Sequence, residues 1–513
     1  MRPKLPLRNS RSRAKDGPAF VFVEIAAGAD KNDSRAVVRR QAARCGRTRR
    51  EDESASQKNI ASLPDSCELM ITGKGAPSVT SSSKNRTGMW KNNTVRNVSS
   101  PGLMLQPLSS GYEAFRLRYN FDITDLTSFT DVDLATSAYQ LLRDEPNHFG
   151  SLLRRRYPSF LACLPSRYGS VTCLDDAMHC VAARASQICG VPVQTLTPSF
   201  LYGKALHSLQ MAIKNGSDCT NSDIYCVTRL MVLYQSIGPP DTTHLVYHHR
   251  AGIKLVGLRE PECYASRFEC LLLKSQGPSI VVDEIYRNES SMFEVQEWQH
   301  VFQRASALES DTDCRLWWKL FGTTCYLPGI LKDLRVLLGG APHQSGHSAR
   351  SAAILERARR VHKALHNDHV IYQHVAPHPP SLFNLPVSIE SPDRIRLRVF
   401  FLCTVMYICR VLATVSPRKI DRAACETDAQ TFACQTLLME EVAAKRDPAM
   451  AWHLRQRNGL AQSITQTREE WFSDKEHGMP RNKLKRFLAQ RWLTWENAWR
   501  DRVLAQELGG DGV

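Results

Sequence analysis

The sequence lacks a long hydrophobic segment. Its 513 residues contain no run of about 18 consecutive apolar residues, the length that spans a bilayer as a helix. The longest apolar stretch, 397–415, carries Arg398 and Arg410, so we expect a buried core helix there. The amino end, MRPKLPLRNSRSRAKDG, offers no hydrophobic signal-peptide core. We therefore expect an intracellular protein that does not associate with membranes.

Closely paired cysteines are also missing. The chain has 16 cysteines, but no two of them are separated by just two residues. Zinc ribbons, zinc fingers and thioredoxin-like motifs need such C-x2-C pairs, so the sequence excludes these classes. In an intracellular protein, cysteines scattered through apolar patterns are expected to be reduced, buried core thiols.

The common nucleotide-binding and catalytic motifs are absent as well. Gly73 and Gly203 each precede a lysine, but both lack the earlier glycine and the following Ser or Thr of a phosphate-binding loop. Neither G-x-S-x-G nor H-E-x-x-H occurs. We therefore expect no cofactor and no enzymatic activity. A helical enzyme with an unrecognised site is the least favoured alternative.

Positive charge is abundant, and it is unevenly distributed. The chain carries a net charge of +16. Residues 1–100 hold 20 Lys and Arg against 9 Asp and Glu, whereas the remaining residues hold 47 against 42. A basic arm ahead of a nearly neutral body suggests nuclear import or contact with an acidic partner.

The densest part of this arm is SRAVVRRQAARCGRTRR, at 34–50. Its seven arginines are Arg35, Arg39, Arg40, Arg44, Arg47, Arg49 and Arg50. Three interpretations stay open, namely a solvated charged helix, a nuclear-import signal and a nucleic-acid-binding patch.

From about residue 110 onwards, apolar residues recur at helical spacing between short breaks rich in Gly, Pro and Asn. The expected helices are 131–144, 172–189, 200–214, 221–236, 242–256, 261–274, 294–305, 327–338, 348–374, 393–414, 419–446, 448–472 and 480–507. We expect Gly277-Pro278 and Pro328-Gly329 to fall between helices. The predicted fold is all-α, with packed helical hairpins in one large domain (109–513) behind a basic, largely disordered N-terminal arm (1–108).

Residues 168–187, YGSVTCLDDAMHCVAARASQ, concentrate potential ligands. These are Cys173, Asp175, Asp176, His179 and Cys180. On a helix they point in different directions, so one metal ion could not bind them all. We interpret the aspartates as the start of a helix, with Ser170 or Thr172 as a cap. His179, Asp176 and Cys180 are expected to lie off the apolar stripe around Val181, and His179→Ala is expected to be nearly silent.

Two further clusters have a structural and a functional interpretation. His362, His366 and His369 lie at the edge of an apolar helix stripe and could bind zinc or nickel. No carboxylate occupies a matched position, so we predict no metal site there. Whether the three histidines bind a metal stays open. Trp492, Trp495 and Trp499 are spaced as one stripe of the last helix. We expect them to dock that helix on the body rather than to stack on nucleobases.

Five segments in the same order resemble the fungal-specific regulatory domain of binuclear zinc-cluster transcription factors. They are 155–184, LYGKALHSLQMAI (201–213), 244–264, 268–302 and LPGILKDLRVLL (327–338). The resemblance is best over 110–340 and extends weakly to the end of the chain. The opening FVFVEIAAGADKNDSRAVVRRQAAR also resembles N-terminal segments of this group. The resemblance implies a nuclear regulatory protein of a fungus.

The sequence departs from this family at its DNA-binding module. That module uses six cysteines, beginning C-x2-C-x6-C, to hold two zinc ions, whereas residues 1–100 contain only Cys45 and Cys67. We therefore expect a regulator that works by protein–protein contact with other transcription regulators or coregulators. It could also reach DNA through the arginine arm. The main alternative is a non-specific nucleic-acid-binding protein that uses the same arginines.

Overall fold

The computed structural model describes residues 111–130, 153, 158–190, 196–214, 221–238, 242–339, 346–375, 392–445, 448–472 and 474–507. All of these residues belong to a unit that spans 97–513. The predicted N-terminal arm (1–108) and the predicted helix 131–144 lie outside the described residues. Of the described part, 86% is helical and none is strand. The all-α prediction is confirmed for these residues.

The α-helices of the described residues are α1 (Tyr112–Tyr119), α2 (Leu164–Arg167), α3 (Thr172–Ile188), α4 (Pro198–Lys214), α5 (Ser222–Ser236), α6 (Thr242–Leu258), α7 (Arg267–Arg287), α8 (Gln296–Leu308), α9 (Thr312–Thr324), α10 (Leu327–Gly339), α11 (His347–Val375), α12 (Pro392–Val415), α13 (Lys419–Ala444), α14 (Pro448–Gln466), α15 (Arg468–Phe472) and α16 (Arg481–Glu507). Short 3₁₀ helices are Ile123–Thr130, Phe160–Cys163, Pro261–Cys263, Met292–Glu294 and Asp474–Glu476. Most neighbours in sequence also pack against each other, as α3 with α4 and α12 with α13 do.

Several sequence predictions about the helices are wrong. Helix α9 was not predicted. Gly277 and Pro278 lie inside α7 instead of ending it, and Pro328 and Gly329 lie in the first turn of α10. A proline is tolerated in a first turn because its missing N–H would have no helical partner there. In α7 the helix continues through Pro278 because packing outweighs the lost backbone hydrogen bond.

The packing at this point of α7 is close. A Cβ atom added to Gly277 would lie 2.5 Å from Cζ of Phe321 on α9, so glycine is what lets the two helices cross here. Helix α7 begins with a capping box, in which Ser266 Oγ accepts from the Glu269 N–H and Glu269 Oε2 accepts from the Ser266 N–H. It ends at Asn288, whose φ of 58° is left-handed.

One hydrophobic core connects the beginning and the end of the described chain. Its buried members include Leu174 of α3, Leu272 of α7, Ile330 of α10 and Trp492 of α16. Trp492 and Trp495 are fully buried and Trp499 nearly so. The predicted docking role of the tryptophan stripe is therefore confirmed.

Helix α12 occupies the middle of this core. It is long and apolar enough to cross a membrane by length and composition, but 89% of its most apolar window is buried inside the protein. This is the position of a core helix, as the sequence predicted. Arg398 and Arg410 are buried along with the apolar residues.

Arg410 lies in a closed network of polar and aromatic groups. Its Nη2 donates to Glu426 Oε1 at 3.1 Å, and its Nε lies 3.1 Å from Oε2. Its guanidinium lies 3.9 Å from the ring centre of Trp471. Burial lowers the pKa of Arg410 to about 9 and raises the pKa of Glu426. The network joins α12 to α13 and α15 at the carboxyl-terminal end of the body.

Candidate functional site

The stretch 168–187 begins a helix, as predicted, but its capping differs from the prediction. Helix α3 starts at Thr172, and its N-cap residue, Val171, has no side chain that can cap it. Ser170 donates instead to the carbonyl oxygen of Arg167. Asp175 lies in the first turn and accepts a hydrogen bond of 2.8 Å from the Gly169 N–H. The carboxylate thus stabilises the turn that leads into the helix.

The expectation that Asp176 and Cys180 lie off the apolar stripe did not anticipate that they are covered by neighbouring helices. Both are buried, because α3 packs against α4 and α5 and is covered on more than its apolar stripe. Asp176 Oδ1 lies 2.8 Å from Nζ of Lys204 on α4. The aspartate is therefore compensated by a lysine, and it joins two helices.

His179 also has a structural role that the helical wheel did not reveal. Its Nδ1 lies 2.9 Å from the Tyr119 hydroxyl, and its Nε2 lies 3.0 Å from the Tyr168 hydroxyl. Its ring packs against Phe115 as well. Burial lowers the pKa of His179 to about 4. The expectation that His179→Ala would be nearly silent is therefore not supported, since the substitution would leave two tyrosine hydroxyls without this partner.

The predicted arginine patch lies outside the described residues. Its seven members are Arg35, Arg39, Arg40, Arg44, Arg47, Arg49 and Arg50. The structure therefore does not distinguish among the charged helix, the import signal and the nucleic-acid patch.

The three histidines of α11 have different surroundings. His366 is exposed, while His362 and His369 are partly buried. The ring of His369 stacks on Phe401 of α12, with ring centres 4.9 Å apart, and burial lowers its pKa to about 4. His362 instead approaches residues of α12 and α13.

A cleft between α7, α9, α12 and α14 is the best candidate for binding a small molecule. Its cavity volume is about 100 Å³, and it opens to solvent. Residues from both halves of the described chain form its walls. They are Thr127, Thr130, Pro158, Ser159, Leu271, Lys274, Ser275, Pro278, Asp313, Cys314, Trp317, Arg396, Leu397, Phe400 and Arg457.

The cleft combines positive charge with aromatic surface. Lys274, Arg396 and Arg457 come from three different helices, and Asp313 is the one carboxylate among the lining residues. Nζ of Lys274 lies 5.0 Å from the ring centre of Trp317. Cations beside an aromatic face can hold an anionic group while the ring contacts an apolar or aromatic part of the same molecule.

The one thiol of the cleft is not activated as a nucleophile. Its thiol, Cys314, lies 3.8 Å from Lys274 Nζ, yet burial raises its pKa to about 12. A thiol of such high pKa is a poor nucleophile near neutral pH. Sequence reasoning missed this cleft because its walls come from six separate elements, and no local motif connects Thr127 to Arg457.

Comparisons with known proteins add no assignment. No protein-family model matches the chain, and the searches of curated proteins and of solved structures found no match. The family resemblance read from the sequence therefore stays a prediction.

Proposed function

We propose that this protein is a transcription-regulator-like protein that acts in the nucleus by protein–protein contact. In this proposal the helical body is the regulatory part, and the chain lacks a zinc-cluster DNA-binding module of its own. The observation that carries the proposal is the order of the five resembling segments. Their described parts fold into α3, α4, α6, α7 and α10 with the short helices beside them, and these helices contribute to a single core.

The basic arm supplies the nuclear part of the proposal. Seven arginines within seventeen residues are a sufficient positive cluster for an import receptor. The nearly neutral body, in contrast, offers no comparable excess of positive charge. We therefore assign import to 34–50 and partner contact to the helical body.

Localisation of the tagged full-length chain tests this division. We expect a nuclear protein, and we expect a variant with all seven arginines changed to glutamine to remain in the cytosol. A matched control changes seven Lys and Arg of the helical surface, such as Lys319, Lys332 and Lys445, and should stay nuclear. A cytosolic distribution of the unaltered chain would contradict the proposal.

Co-purification from nuclear extract tests the mode of action. We expect transcription regulators or coregulators to co-purify with the full-length chain after nuclease treatment. Loss of every such protein on nuclease treatment would favour the alternative, a nucleic-acid-binding protein. In that case, duplex binding by the purified chain should weaken with salt, by about −0.9 in the log–log slope for each phosphate contact.

The cleft is the second part of the proposal, since a regulatory body with a cationic, aromatic cleft can respond to a small anionic molecule. We expect a panel of aromatic carboxylates and phosphates to contain compounds that raise the melting temperature of the chain. Lys274→Met should abolish the shift, while Lys332→Met, on α10 outside the cleft, should retain it. A panel without any stabilising compound, or an equal shift in Lys274→Met, would refute this role for the cleft.

A further inference from the structure

Three side chains of different chemistry come together where α11, α12 and α13 pack side by side. They are His362, Cys409 and Asp428, and their nitrogen, sulfur and oxygen ligand atoms all lie within 4.8 Å of one another. The three helices follow one another in the chain, and each contributes one residue. The cluster is separate from the cationic cleft, since none of its members lines that cleft.

The spacing of these atoms suits a small metal ion. A tetrahedral zinc ion has ligand bonds of about 2.0–2.3 Å, which places neighbouring ligand atoms about 3.4–3.6 Å apart. Atoms that already lie within 4.8 Å need only small side-chain adjustments to reach this geometry. Imidazole, thiolate and carboxylate are also the ligand types that zinc prefers.

The three side chains lie close together but do not hydrogen-bond to one another. Among the described residues, no hydrogen bond or ion pair joins His362, Cys409 and Asp428 to one another. This differs from Asp176 and His179, which meet a lysine and two tyrosines at about 3 Å. Polar atoms that point into one small space without bonding there leave room for an ion between them.

Access is also compatible with a metal ion. Cys409 is fully buried, His362 is partly buried and Asp428 is exposed. The ligands therefore lead from the surface to the core, which gives an ion a path of entry.

We propose that His362, Cys409 and Asp428 form a zinc site that links α11, α12 and α13. On binding, the Cys409 thiol loses its proton to solvent and a zinc–sulfur bond forms, with no change of oxidation state. A water molecule completes the tetrahedron. The site stabilises the packing of three helices, and it does not depend on the proposed nuclear function.

The test measures zinc stoichiometry and cobalt spectra on the purified full-length chain after chelator treatment. We expect one tightly bound zinc ion per chain that requires all three ligands. Cobalt(II) in the same place should give a thiolate charge-transfer band. His362→Ala, Cys409→Ser and Asp428→Asn should each weaken zinc binding by about tenfold or more, since even loss of an outer-shell partner has an effect of that size.

Two matched controls use residues of the same helices. His366→Ala changes an exposed histidine of α11, and Cys434→Ser changes an exposed thiol of α13. Both should bind zinc and show the cobalt band as the unaltered chain does. Asp428→Asn is the most informative ligand variant, because an exposed, isosteric change is the least able to disturb folding.

Each possible outcome either supports the proposed zinc site or overturns it. Loss of the cobalt band in Cys409→Ser, together with weaker zinc binding in Asp428→Asn and unchanged controls, supports the site. Absence of bound zinc in the unaltered chain overturns it. Equal binding by the three ligand variants and the controls also overturns it, since zinc would then be held by other residues.

Discussion

Two arginines of this molecule are buried, and their positive charges are stabilised by different kinds of partner. Arg229, on α5, is held only by neutral acceptors. Its Nε donates to Ser275 Oγ, its Nη1 to Gln276 Oε1 and its Nη2 to the carbonyl oxygen of Ser275. Arg410, on α12, instead meets the carboxylate of Glu426 and the ring of Trp471. Both arginines are at least 96% buried.

The two sets of partners differ in how much stability the protein would lose with the arginine. Neutral acceptors can remain in place without the arginine at moderate cost, since they carry no net charge to be left behind. A buried carboxylate cannot, because an unpaired charge in the core is strongly unfavourable. The carboxyl-terminal region should therefore be less tolerant of losing its arginine than the amino-terminal region is.

The largest expected effect is that of Arg410→Met, which removes the cation bonded to the buried Glu426 and leaves this carboxylate with the hydrogen bond from Gln430 and the charges of Arg491 and Arg468. We expect the free energy of unfolding to fall by about 3–5 kcal/mol. Because burial already raises the pKa of Glu426, the variant should regain stability as the pH falls and the carboxyl takes up a proton. Chemical denaturation at a series of pH values measures both. The double variant Arg410→Met/Glu426→Leu should recover most of the loss, and a failure to recover would contradict this account.

Arg229→Met should have a smaller effect. It leaves the hydroxyl of Ser275 and the amide of Gln276 without a donor, and we expect a loss of about 1–3 kcal/mol. The loss should not depend on pH between about 7 and 8, because no carboxylate is released. Below about pH 6.5 the loss should shrink, because burial and the charge of Arg229 together lower the pKa of His249 to about 4. If Arg229→Met proved as destabilising as Arg410→Met under identical denaturation conditions, the comparison would fail.

His179→Ala removes a polar side chain that carries no charge near neutral pH. Removing its two tyrosine contacts should cost about 1–3 kcal/mol. The folded-state pKa of about 4 lies below the ordinary histidine pKa of 6.5, so the unfolded chain binds the proton first as the pH falls. The unaltered protein should therefore lose stability between about pH 6.5 and 4. Melting curves across this range should show that the stability of His179→Ala depends less on pH than that of the unaltered protein. An unchanged pH dependence would mean that groups other than His179 cause it.

The smallest expected effect is that of Asp175→Asn. This side chain lies at the surface end of α3 and accepts from the Gly169 N–H. An amide oxygen can still accept that bond, so only the charge is lost, and we expect a few tenths to about 1 kcal/mol. Asp176→Asn should cost more, because Asp176 is buried beside Lys204. Thermal melts of the two variants side by side would show the order, and a reversed order would refute it.

The helices were the most predictable part of the fold. Apolar periodicity identified most of them. The predicted start at 261 was wrong, since S-x-x-E at Ser266 forms the capping box of α7, which begins at Arg267. What periodicity did not show is how many sides of a helix are covered. Asp176 and Cys180 lie off the main stripe of α3, yet a second neighbouring helix buries them.

The candidate sites were hardly predictable, because each depends on residues far apart in the chain. The sequence singled out His362 together with His366 and His369, which share a helix. The structure groups it instead with Cys409 and Asp428 on two other helices. Gly277 and Pro278 show the same limit, since a local rule predicts a break where α7 continues and Gly277 packs closely against Phe321.

The central claim is that the helical body regulates transcription through protein contacts and needs a separate means of reaching DNA. The most direct measurement fuses the full-length chain to an unrelated DNA-binding domain and monitors a reporter gene that carries the matching site. The account predicts that transcription of the reporter changes with the fusion and does not change with the unfused chain at equal nuclear abundance. A folded, nuclear fusion that occupies the site and leaves transcription unchanged would contradict the claim.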